Sequence, residues 1–509
     1  MLNARTLTYA LFATGGLAAT AAADLRIWTG AGGDSNWSNA ANWSGNSVPG
    51  SQDTAYIDPG FTTIVAPFGV SVGSLVTYRP IVFNQNVNII NTSHFYADVS
   101  FNGGLTIYQN DAVINVYRSL NWNGGYCWRG AGTTNTTIQV NSGGAMNVGP
   151  GAGPLANHVA VMNGGTLSVN TTSLNLLNTS SSDIVVLSTQ PGGSMNFNVG
   201  CVVGTSQVRP SAGAVINAGQ VTTRNGSATF TDSVYFYNSG KLRAESPTYI
   251  GDPAFLPVGD NYVANGEYEL VNSTLAFSGG RTVKGISNAA RITLSGPGAY
   301  FAGIERIQSN EGVLTVLDGA YPWVGYGRAV GFNNYGTLSV YPGSYVYSST
   351  RFTNASTGSV IHFARGTAYG DNGYVVTPEY VNVLGGYAQL IAIDGYQPSL
   401  GDRIPMFRVT DESPYYGAYG GFSGVFASGW DTSRTFPSVE QSYHAFDYVI
   451  GCRADFNGDG FLDGFDYDDF VACFEGVACP ATKTADYNGD GFADGLDYDD
   501  FVAAFEFGC

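Results

Sequence analysis

The sequence predicts a mainly β fold, a parallel β-helix (β-solenoid), followed by a β-rich closing segment and a small α-helical module. Over residues 61–385 a weak repeat begins with Gly and continues with alternating apolar residues, as in Gly165-Thr-Leu-Ser-Val and Gly336-Thr-Leu-Ser-Val. Its spacing of roughly 20–30 residues, without helical periodicity, is typical of stacked solenoid turns. Near the chain end an acidic segment occurs twice, and this duplication indicates a separate module. An array of β-sandwiches is the alternative for the repeat region.

The first 23 residues predict a secretory signal peptide. Arg5 supplies the positive charge, residues 7–19 form a short apolar run, and Ala21-Ala22-Ala23 form a small-residue cleavage site. We therefore expect a protein that is secreted or held at the cell surface, with no membrane span in the mature chain. Export also permits disulfide bonds.

Residues 24–60 predict an N-terminal cap rich in tryptophan. Trp28, Trp37 and Trp43 are three of the seven tryptophans in the chain. An aromatic cluster can cover the open end of a solenoid, whose first turn would otherwise expose strand edges and core. A carbohydrate-stacking face is the alternative. The order W-x-G, N-W, V-P, D-x-A resembles the entry segment of secreted bacterial β-solenoid proteins, including autotransporter-passenger-like and planctomycete proteins.

The repeat region, residues 61–385, predicts a stack of turns with Gly and Asn at the corners, where a positive φ is needed. Turns stack ~4.8 Å apart. Cys127 and Cys201 would be about three turns apart, on the order of 14 Å, which exceeds the ~7 Å reach of a disulfide. We therefore expect both thiols to be unpaired.

The repeat region offers little catalytic chemistry. Its aspartates are isolated in sequence, and the four histidines lie apart, without paired metal-ligand spacing. A polysaccharide-cleaving site needs paired carboxylates, or Ca²⁺ with a basic side chain, on one face. Such convergence across turns would favour an enzyme. The 32 tyrosines suggest ladders that either bind glycans or stack along the coil. Residues 386–450 predict closing strands that seal the second end.

The duplicated segment in residues 451–509 matches a 12-residue calcium loop, which needs oxygen ligands at positions 1, 3, 5, 9 and 12, a carbonyl at 7 and Gly at 6. Gly460 and Gly491 occupy position 6. The predicted ligands of two Ca²⁺ ions are Asp455, Asn457, Asp459, Phe461 (carbonyl), Asp463 and Asp466 in the first loop, and Asp486, Asn488, Asp490, Phe492 (carbonyl), Asp494 and Asp497 in the second. A solvated acidic tail is the alternative.

A helix is predicted after each loop. Asp466 can cap the first helix, and Phe470 and Phe474 fall at helical spacing on one face. Two loop–helix segments with Asp at position 12 resemble the dockerin family. The resemblance implies two Ca²⁺ ions, a pseudo-twofold arrangement and docking to a cohesin-like or cell-surface attachment protein. Family members that bind cohesins often carry polar pairs at loop positions 10 and 11, where this chain has Gly464-Phe465 and Gly495-Leu496.

Charge and cysteine placement also set the last segment apart. Of a net charge of −18, residues 451–509 contribute 14 acidic against 2 basic residues, so the acidity belongs mostly to the loops. No basic stripe is present, which disfavours a nucleic-acid partner. The four cysteines of this segment allow three pairings. We favour Cys452–Cys509 with Cys473–Cys479.

These observations predict a secreted, non-enzymatic β-solenoid protein whose surface serves adhesion or glycan contact. The calcium-folded, dockerin-like module would attach or sort it. The alternative is a polysaccharide-degrading β-helix enzyme, a lyase or glycoside hydrolase, that carries the same module.

Overall fold

The structure is a computed structural model. It describes residues 23–60, 62–130, 136–156, 158–177, 185–205, 213–253, 262–277, 283–325, 331–367, 371–430, 435–480 and 483–508. Apart from Ala23, the predicted signal peptide lies outside the described residues. The prediction of a β-solenoid is confirmed, because the chain coils so that each strand pairs in parallel with the equivalent strand of the next turn.

The longest single column of strands, sheet II, has 16 parallel strands, one per turn. Most of the Gly-led repeats of the sequence form this sheet. Its strands are Ile64–Ala66, Ile81–Phe83, Asp98–Phe101, Ser119–Trp122, Ala145–Val148, Thr166–Val169, Ser194–Phe197, Gln220–Thr223, Lys241–Ala244, Gly266–Val271, Ala290–Ser295, Val313–Leu317, Thr337–Val340, Val360–Arg365, Tyr387–Ala392 and Gly424–Ser428.

Sheet I has 20 parallel strands in two columns, which the long strand Ala228–Asn238 joins by pairing in both. One column holds Leu25–Ile27, Thr54–Ile57, Ser74–Thr77, Ser93–Phe95, Val113–Val116, Thr136–Val140, Val159–Asn163, Val185–Thr189 and Gly213–Asn217. The other holds Val70–Val72, Val87–Ile89, Leu105–Ile107, Gly125–Arg129, Ala152–Ala156, Ser173–Leu177, Cys201–Thr205, Thr248–Pro253, Thr274–Phe277 and Tyr300–Phe301.

Two smaller sheets complete the later turns. Sheet III has seven parallel strands: Tyr262–Val263, Gly285–Ile286, Ser309–Asn310, Phe332–Asn334, Arg351–Asn354, Tyr380–Val383 and Gly417–Gly420. Sheet IV has six strands: Trp323–Val324, Tyr345–Ser348, Tyr374–Thr377, Arg403–Val409, Ala445–Cys452 and Thr435–Ser442. The last two pair antiparallel and end the parallel stacking. Short 3₁₀ helices cover Ala40–Asn42, Ser44–Asn46 and Ile304–Arg306.

Alternation of side chains explains why these short segments form strands. In Thr166–Val169, Leu167 and Val169 are buried while Thr166 and Ser168 are partly exposed. This period-two pattern points one set of side chains into the coil, where they meet those of the turns above and below. The buried apolar residues form one continuous core along the solenoid.

The expectation of Gly and Asn with a positive φ at the corners is confirmed, for example at Gly143 and Asn225, whereas the glycines that begin the repeats are needed for space. A Cβ atom on Gly165 would lie 2.2 Å from the carbonyl oxygen of Gly144, and one on Gly336 would lie 2.2 Å from that of Gly312. Neither Gly165 nor Gly336 has a positive φ. Consecutive turns therefore approach so closely at this corner that only glycine fits.

Buried asparagines line a second corner. Asn310, Asn334 and Asn354 are fully buried. Asn310 donates to Asn334 Oδ1 at 2.8 Å, and Asn334 donates to Asn354 Oδ1 at 2.9 Å. Asn354 in turn donates to the carbonyl of Gly385 at 2.7 Å. Each amide N–H of this ladder thus finds an acceptor in a neighbouring turn, as a buried polar group requires, while Asn310 Oδ1, at the start of the ladder, accepts no hydrogen bond within the described residues.

The tryptophan cluster at the N-terminal end is part of the core. The rings of Trp28 and Trp37 meet the ring of Trp43 edge-on, at 5.1 and 4.7 Å between centroids. Trp37 also contacts Phe83 of sheet II. All three indoles are almost fully buried, so they do not form an exposed carbohydrate-stacking face.

Candidate metal centre

The C-terminal module follows strand Ala445–Cys452 and contains two helices, α1 (Gly464–Phe474) and α2 (Gly495–Phe507). The predicted cap at Asp466 is wrong by three residues. Helix α1 begins at Gly464, so Asp463 is the N-cap and accepts a hydrogen bond from the backbone of Phe465 at 2.9 Å. Asp466 is the third helical residue and accepts from the Asp463 backbone, which completes a capping box.

In the first predicted calcium loop, the polar side chains accept hydrogen bonds from the backbone N–H groups of the same loop. Asp455 accepts hydrogen bonds from the backbone of Gly458, Asp459 and Gly460 at 2.8–3.1 Å. Asn457 accepts from Asp459, and Asp459 Oδ1 accepts from the backbone of Phe461, both at 2.9 Å. Each short polar side chain therefore folds back onto an N–H two to five residues further on, which tightens the loop.

The second loop repeats this pattern. Asp486 accepts from Gly489 and Gly491 at 2.8 and 2.9 Å. Asn488 accepts from Asp490, and Asp490 accepts from Phe492, both at 2.9 Å. The position-6 glycines Gly460 and Gly491 have φ of 86° and 93°, as the sequence predicts for a sharp turn. The same residues at the same spacing thus produce the same loop twice.

The position-12 aspartates are fully buried. Asp466 accepts from the backbone of Asn457 and Asp463 at 3.0 and 2.9 Å. Asp497 accepts from Tyr487, Asn488 and Asp494 at 2.7–2.9 Å. Backbone N–H groups, chiefly those of Asn488 and Asp494, hold the pKa of Asp497 below its ordinary value because they favour the charged form.

Few positive charges balance these acids. Arg453 and Lys483 are the basic residues of the module. Lys483 Nζ donates to the carbonyl of Asp455 at 2.9 Å and lies over the ring of Phe456. Burial lowers the pKa of Lys483, and attraction to Asp455 and Asp466 opposes that shift.

The donor set fits Ca²⁺ chemically, because it consists of carboxylate, amide and carbonyl oxygens. The arrangement in the described residues is more open than a coordination sphere, since no three acidic, histidine or cysteine side chains converge closely enough to hold a metal. The oxygens instead face the loop N–H groups. Coordination would require these side chains to close together.

An internal two-fold arrangement relates the two halves of the module. Phe470 and Phe501, equivalent residues of the two copies, stack with centroids 3.9 Å apart and planes 9° apart. Tyr467 and Tyr498, also equivalent, contact each other through their hydroxyls. The Phe474–Tyr498 and Phe505–Tyr467 centroid distances are both 5.9 Å. Equivalent residues that contact each other, and reciprocal pairs at equal distance, are what a two-fold axis requires.

The cysteines agree with the predictions wherever both partners are described. Cys473 and Cys479 form a disulfide. Cys452 is also disulfide-bonded, but its predicted partner, Cys509, lies outside the described residues. Cys127 and Cys201 are free, as predicted, and occupy strands three pairing steps apart in sheet I. Burial raises the pKa of each of these two thiols to about 12.

Sequence reasoning missed a charged cluster on sheet II. Lys241 Nζ lies 2.9 Å from Glu267 and 2.6 Å from Glu269, and Arg243 also pairs with Glu269. Partial burial alone would raise the pKa of Glu269, but hydrogen bonds from Lys241 and Arg243 outweigh it and hold the pKa below its usual range. The signal was K-x-R in one repeat above E-x-E in the next. A carboxylate held ionised by two cations is a poor general acid.

Tyrosines stack along one outer side of the coil. The ring of Tyr96 lies 4.5 Å from Tyr78 and from Tyr117, with planes 3° and 6° apart. Within this column the rings cover one another's faces and leave mainly their edges exposed. A sugar ring therefore cannot stack on Tyr96, and stacking from turn to turn is the better interpretation of this ladder.

None of the helices in the described ranges is long and apolar enough to cross a membrane. No family model matches the chain, and the searches of characterised proteins and of solved structures gave no match either.

Proposed function

We propose that this is a secreted or cell-surface β-solenoid protein without enzymatic activity, whose C-terminal module folds around two Ca²⁺ ions and attaches or sorts the chain. The solenoid serves as an extended surface for adhesion or glycan contact. The observation that carries the proposal is the duplicated acidic loop, in which Asp466 and Asp497 are fully buried at the start of the two helices. Buried carboxylates are costly unless cations or hydrogen bonds compensate them.

The proposed ligands are the oxygens of the two loops. Asp455, Asn457, Asp459, the Phe461 carbonyl, Asp463 and Asp466 would hold one ion, and Asp486, Asn488, Asp490, the Phe492 carbonyl, Asp494 and Asp497 the other. When bound, Ca²⁺ supplies the positive charge that Arg453 and Lys483 cannot provide for 14 acidic residues. Neutralised loops would fix both helix N-termini around the Phe470–Phe501 stack.

Exposed apolar side chains beside the loops support a role in attachment. Phe461, Phe465, Phe492 and Leu496 are between 61% and 72% exposed. Such residues at loop positions 7 and 11 of both copies give the module two equivalent apolar edges, which suit a protein partner. A cohesin-like or cell-surface attachment protein is the proposed partner class, and a polysaccharide is the proposed contact of the solenoid.

The ion pairing of the neighbouring carboxylates on sheet II supports the non-enzymatic function. Glu267 and Glu269 are neighbouring carboxylates on one strand of sheet II. Both form ion pairs with Lys241, and Glu269 also forms one with Arg243. An enzyme of the lyase or glycosidase type would instead need an acid or base free to exchange protons with the substrate.

Calcium-dependent retention in the source cells tests this function. The Asp459→Asn/Asp490→Asn variant keeps the oxygen that accepts the loop hydrogen bond but removes one ligand charge per loop. Asp468→Asn/Asp499→Asn is the matched control, because both residues are exposed on the helices outside the loops. We expect the wild type and the control in the cell-surface fraction, released by a chelator, and the loop variant in the medium. Equal retention of all three, unaffected by chelator, would contradict the proposal.

A further inference from the structure

One break in the strand columns opens a cleft on the side of the solenoid. Sheet I ends at Tyr300–Phe301 and sheet IV begins at Trp323–Val324, and among the described strands no pairing joins these two. The 3₁₀ helix Ile304–Arg306 lies between them in sequence. The resulting cleft has a volume of about 420 Å³. This is within the range of small-molecule sites, roughly 300–1,000 Å³.

Two aromatic rings at this break, those of Trp323 and Tyr321, are more exposed than the stacked ring of Tyr96. Trp323 packs on Tyr347 at 5.0 Å between centroids, and Tyr321 packs on Tyr345 at 5.7 Å. Both are the first rings of their columns, since among the described strands none pairs with Trp323–Val324 on the preceding side. Trp323 is 56% and Tyr321 50% exposed, and both line the cleft. Among the described ring contacts each of them is stacked on one side, whereas Tyr96 is stacked on both.

Polar groups also line the cleft. The hydroxyl of Tyr300 donates to Glu305 Oε2 at 3.1 Å, and both side chains line the cleft. Partial burial and the charge of Glu305 raise the pKa of Tyr300, so the phenol remains a proton donor at neutral pH. Among the described residues, no basic side chain lines this cleft. Together the walls offer two apolar ring faces, one anionic acceptor and one hydroxyl.

We propose that this cleft binds a neutral oligosaccharide, with sugar rings stacked on Trp323 and Tyr321 and hydroxyl groups hydrogen-bonded to Glu305 and Tyr300. The inference rests on the glycan contact of the proposed function and gives it a site and a ligand class. A sugar ring has an apolar face of C–H groups and a rim of hydroxyls, which matches an aromatic floor beside a carboxylate. The negative charge of Glu305 in the cleft disfavours acidic glycans and nucleic acids.

The spacing of the rings favours a chain of sugars over a single one. Tyr321 and Trp323 are two residues apart in sequence. In an extended segment, residues at this spacing lie on the same side, roughly 7 Å apart. Their columns run side by side, since Tyr345 and Tyr347 lie on one strand. A floor of two adjacent rings can therefore contact more than one sugar unit.

Calorimetric titration of the full chain in Ca²⁺ tests the site. The probes are tetrasaccharides of β-linked glucose, mannose, xylose and N-acetylglucosamine, with tetragalacturonate as the acidic comparison. We expect at least one neutral probe to bind and tetragalacturonate not to bind. Trp323→Ala should weaken binding tenfold or more, and Glu305→Gln about threefold. Tyr96→Ala, which removes a ring from a covered column, should leave the affinity unchanged.

The site is overturned if no neutral probe binds, or if Trp323→Ala binds as the wild type does. Circular dichroism of each variant shows whether the solenoid is intact, and Glu305→Gln removes only charge, so a folding defect of Trp323→Ala would not end the test. Failure here is distinguishable from failure of the proposed function, because calcium-dependent retention of the chain does not involve Trp323.

Discussion

The solenoid and the C-terminal module stabilise their buried polar groups in different ways. In the solenoid, uncharged amides such as Asn310, Asn334 and Asn354 bond to one another from turn to turn, over a core that runs the length of the coil. In the module, two buried carboxylates are held by backbone N–H groups over a core of eight buried residues. The solenoid therefore needs no charge balance from outside, whereas the small core and the negative charge of the module are the reasons for which we propose that it depends on a cation.

The two cores also differ in how their stabilising contacts are distributed. Every turn of the solenoid contacts mainly the turns beside it, so its stability approximates a sum of local contributions. The module depends on one aromatic stack, Phe470 on Phe501, with Phe456 and Tyr487 against its edges. A disulfide between Cys473 and Cys479 adds a covalent constraint. A core substitution should thus destabilise the whole module, whereas in the solenoid its effect should be confined to the neighbouring turns.

Phe501→Ala should give the largest effect. Removing a fully buried aromatic side chain costs about 3–5 kcal/mol. The loss falls on the Phe470–Phe501 stack between the two halves of the module, so we expect the signals of helices α1 and α2 to disappear while the main thermal transition of the solenoid is unchanged. Far-UV circular dichroism and calorimetry measure the two parts.

The matched change in the solenoid is Phe352→Ala, which also removes a fully buried ring. Its cost should be similar, but hydrogen exchange should rise only in the strands on either side of Arg351–Asn354. Loss of solenoid structure in Phe501→Ala, or loss of module helix in Phe352→Ala, would break the comparison between the two regions.

Asn334→Ala should have an intermediate effect on the solenoid. It leaves the buried amides of Asn310 and Asn354 each without one partner, at a cost of about 1–3 kcal/mol. We expect a lower unfolding temperature and faster hydrogen exchange in sheet III. Asn333→Ala is the control, since that side chain is partly exposed. If both variants unfold at the same temperature, the amide ladder contributes nothing.

The ion pairs of Glu269 should give the smallest effect and a defined pH dependence. Because the pKa of Glu269 is lowered in the folded chain, its carboxylate stabilises the fold above the unfolded pKa of ~4.3, and this contribution is lost as the pH falls through the folded pKa. At pH 7 the free energy of unfolding of the wild type should exceed that of Glu269→Gln by about 1 kcal/mol or less. The difference should shrink as the pH falls from the unfolded pKa through the lowered folded pKa.

Unfolding curves of the two proteins across this pH range measure the effect. The exposed pair of Arg403 and Glu440 provides the control, since Glu440→Gln removes a carboxylate that solvent screens. A difference between wild type and Glu269→Gln that stays constant from pH 7 to pH 3 would show that the ion pairs are not its cause.

Much of this architecture follows from the sequence because it depends on local repetition. Alternating apolar residues after Gly fix short strands, and the spacing of Asp, Asn and Gly in the duplicated loops fixes their turns. The space requirement of the repeat glycines could not be predicted, because the close approach at Gly165 arises only when turns are stacked on each other. The cap at Asp466 was misplaced because Asp463 and Asp466 are both good caps and only the helix start decides between them.

The candidate sugar cleft could not be predicted for a similar reason. Tyr321 and Trp323 resemble the other outward aromatic residues of the repeat in sequence. Their greater exposure results from the break between sheets I and IV, which depends on the pairing of strands in space and not on the aromatic pattern. Sequence periodicity predicts that turns stack, but it does not predict where a column is interrupted.

The most direct test of the central claim is calorimetric titration of Ca²⁺ into the full chain, with far-UV circular dichroism before and after. The account predicts two ions per chain and a gain of ordered helix, both lost in Asp459→Asn/Asp490→Asn and kept in Asp468→Asn/Asp499→Asn. Absence of binding, or binding that leaves the helices unchanged and is equal in both variants, would contradict it and leave an acidic segment on a surface solenoid.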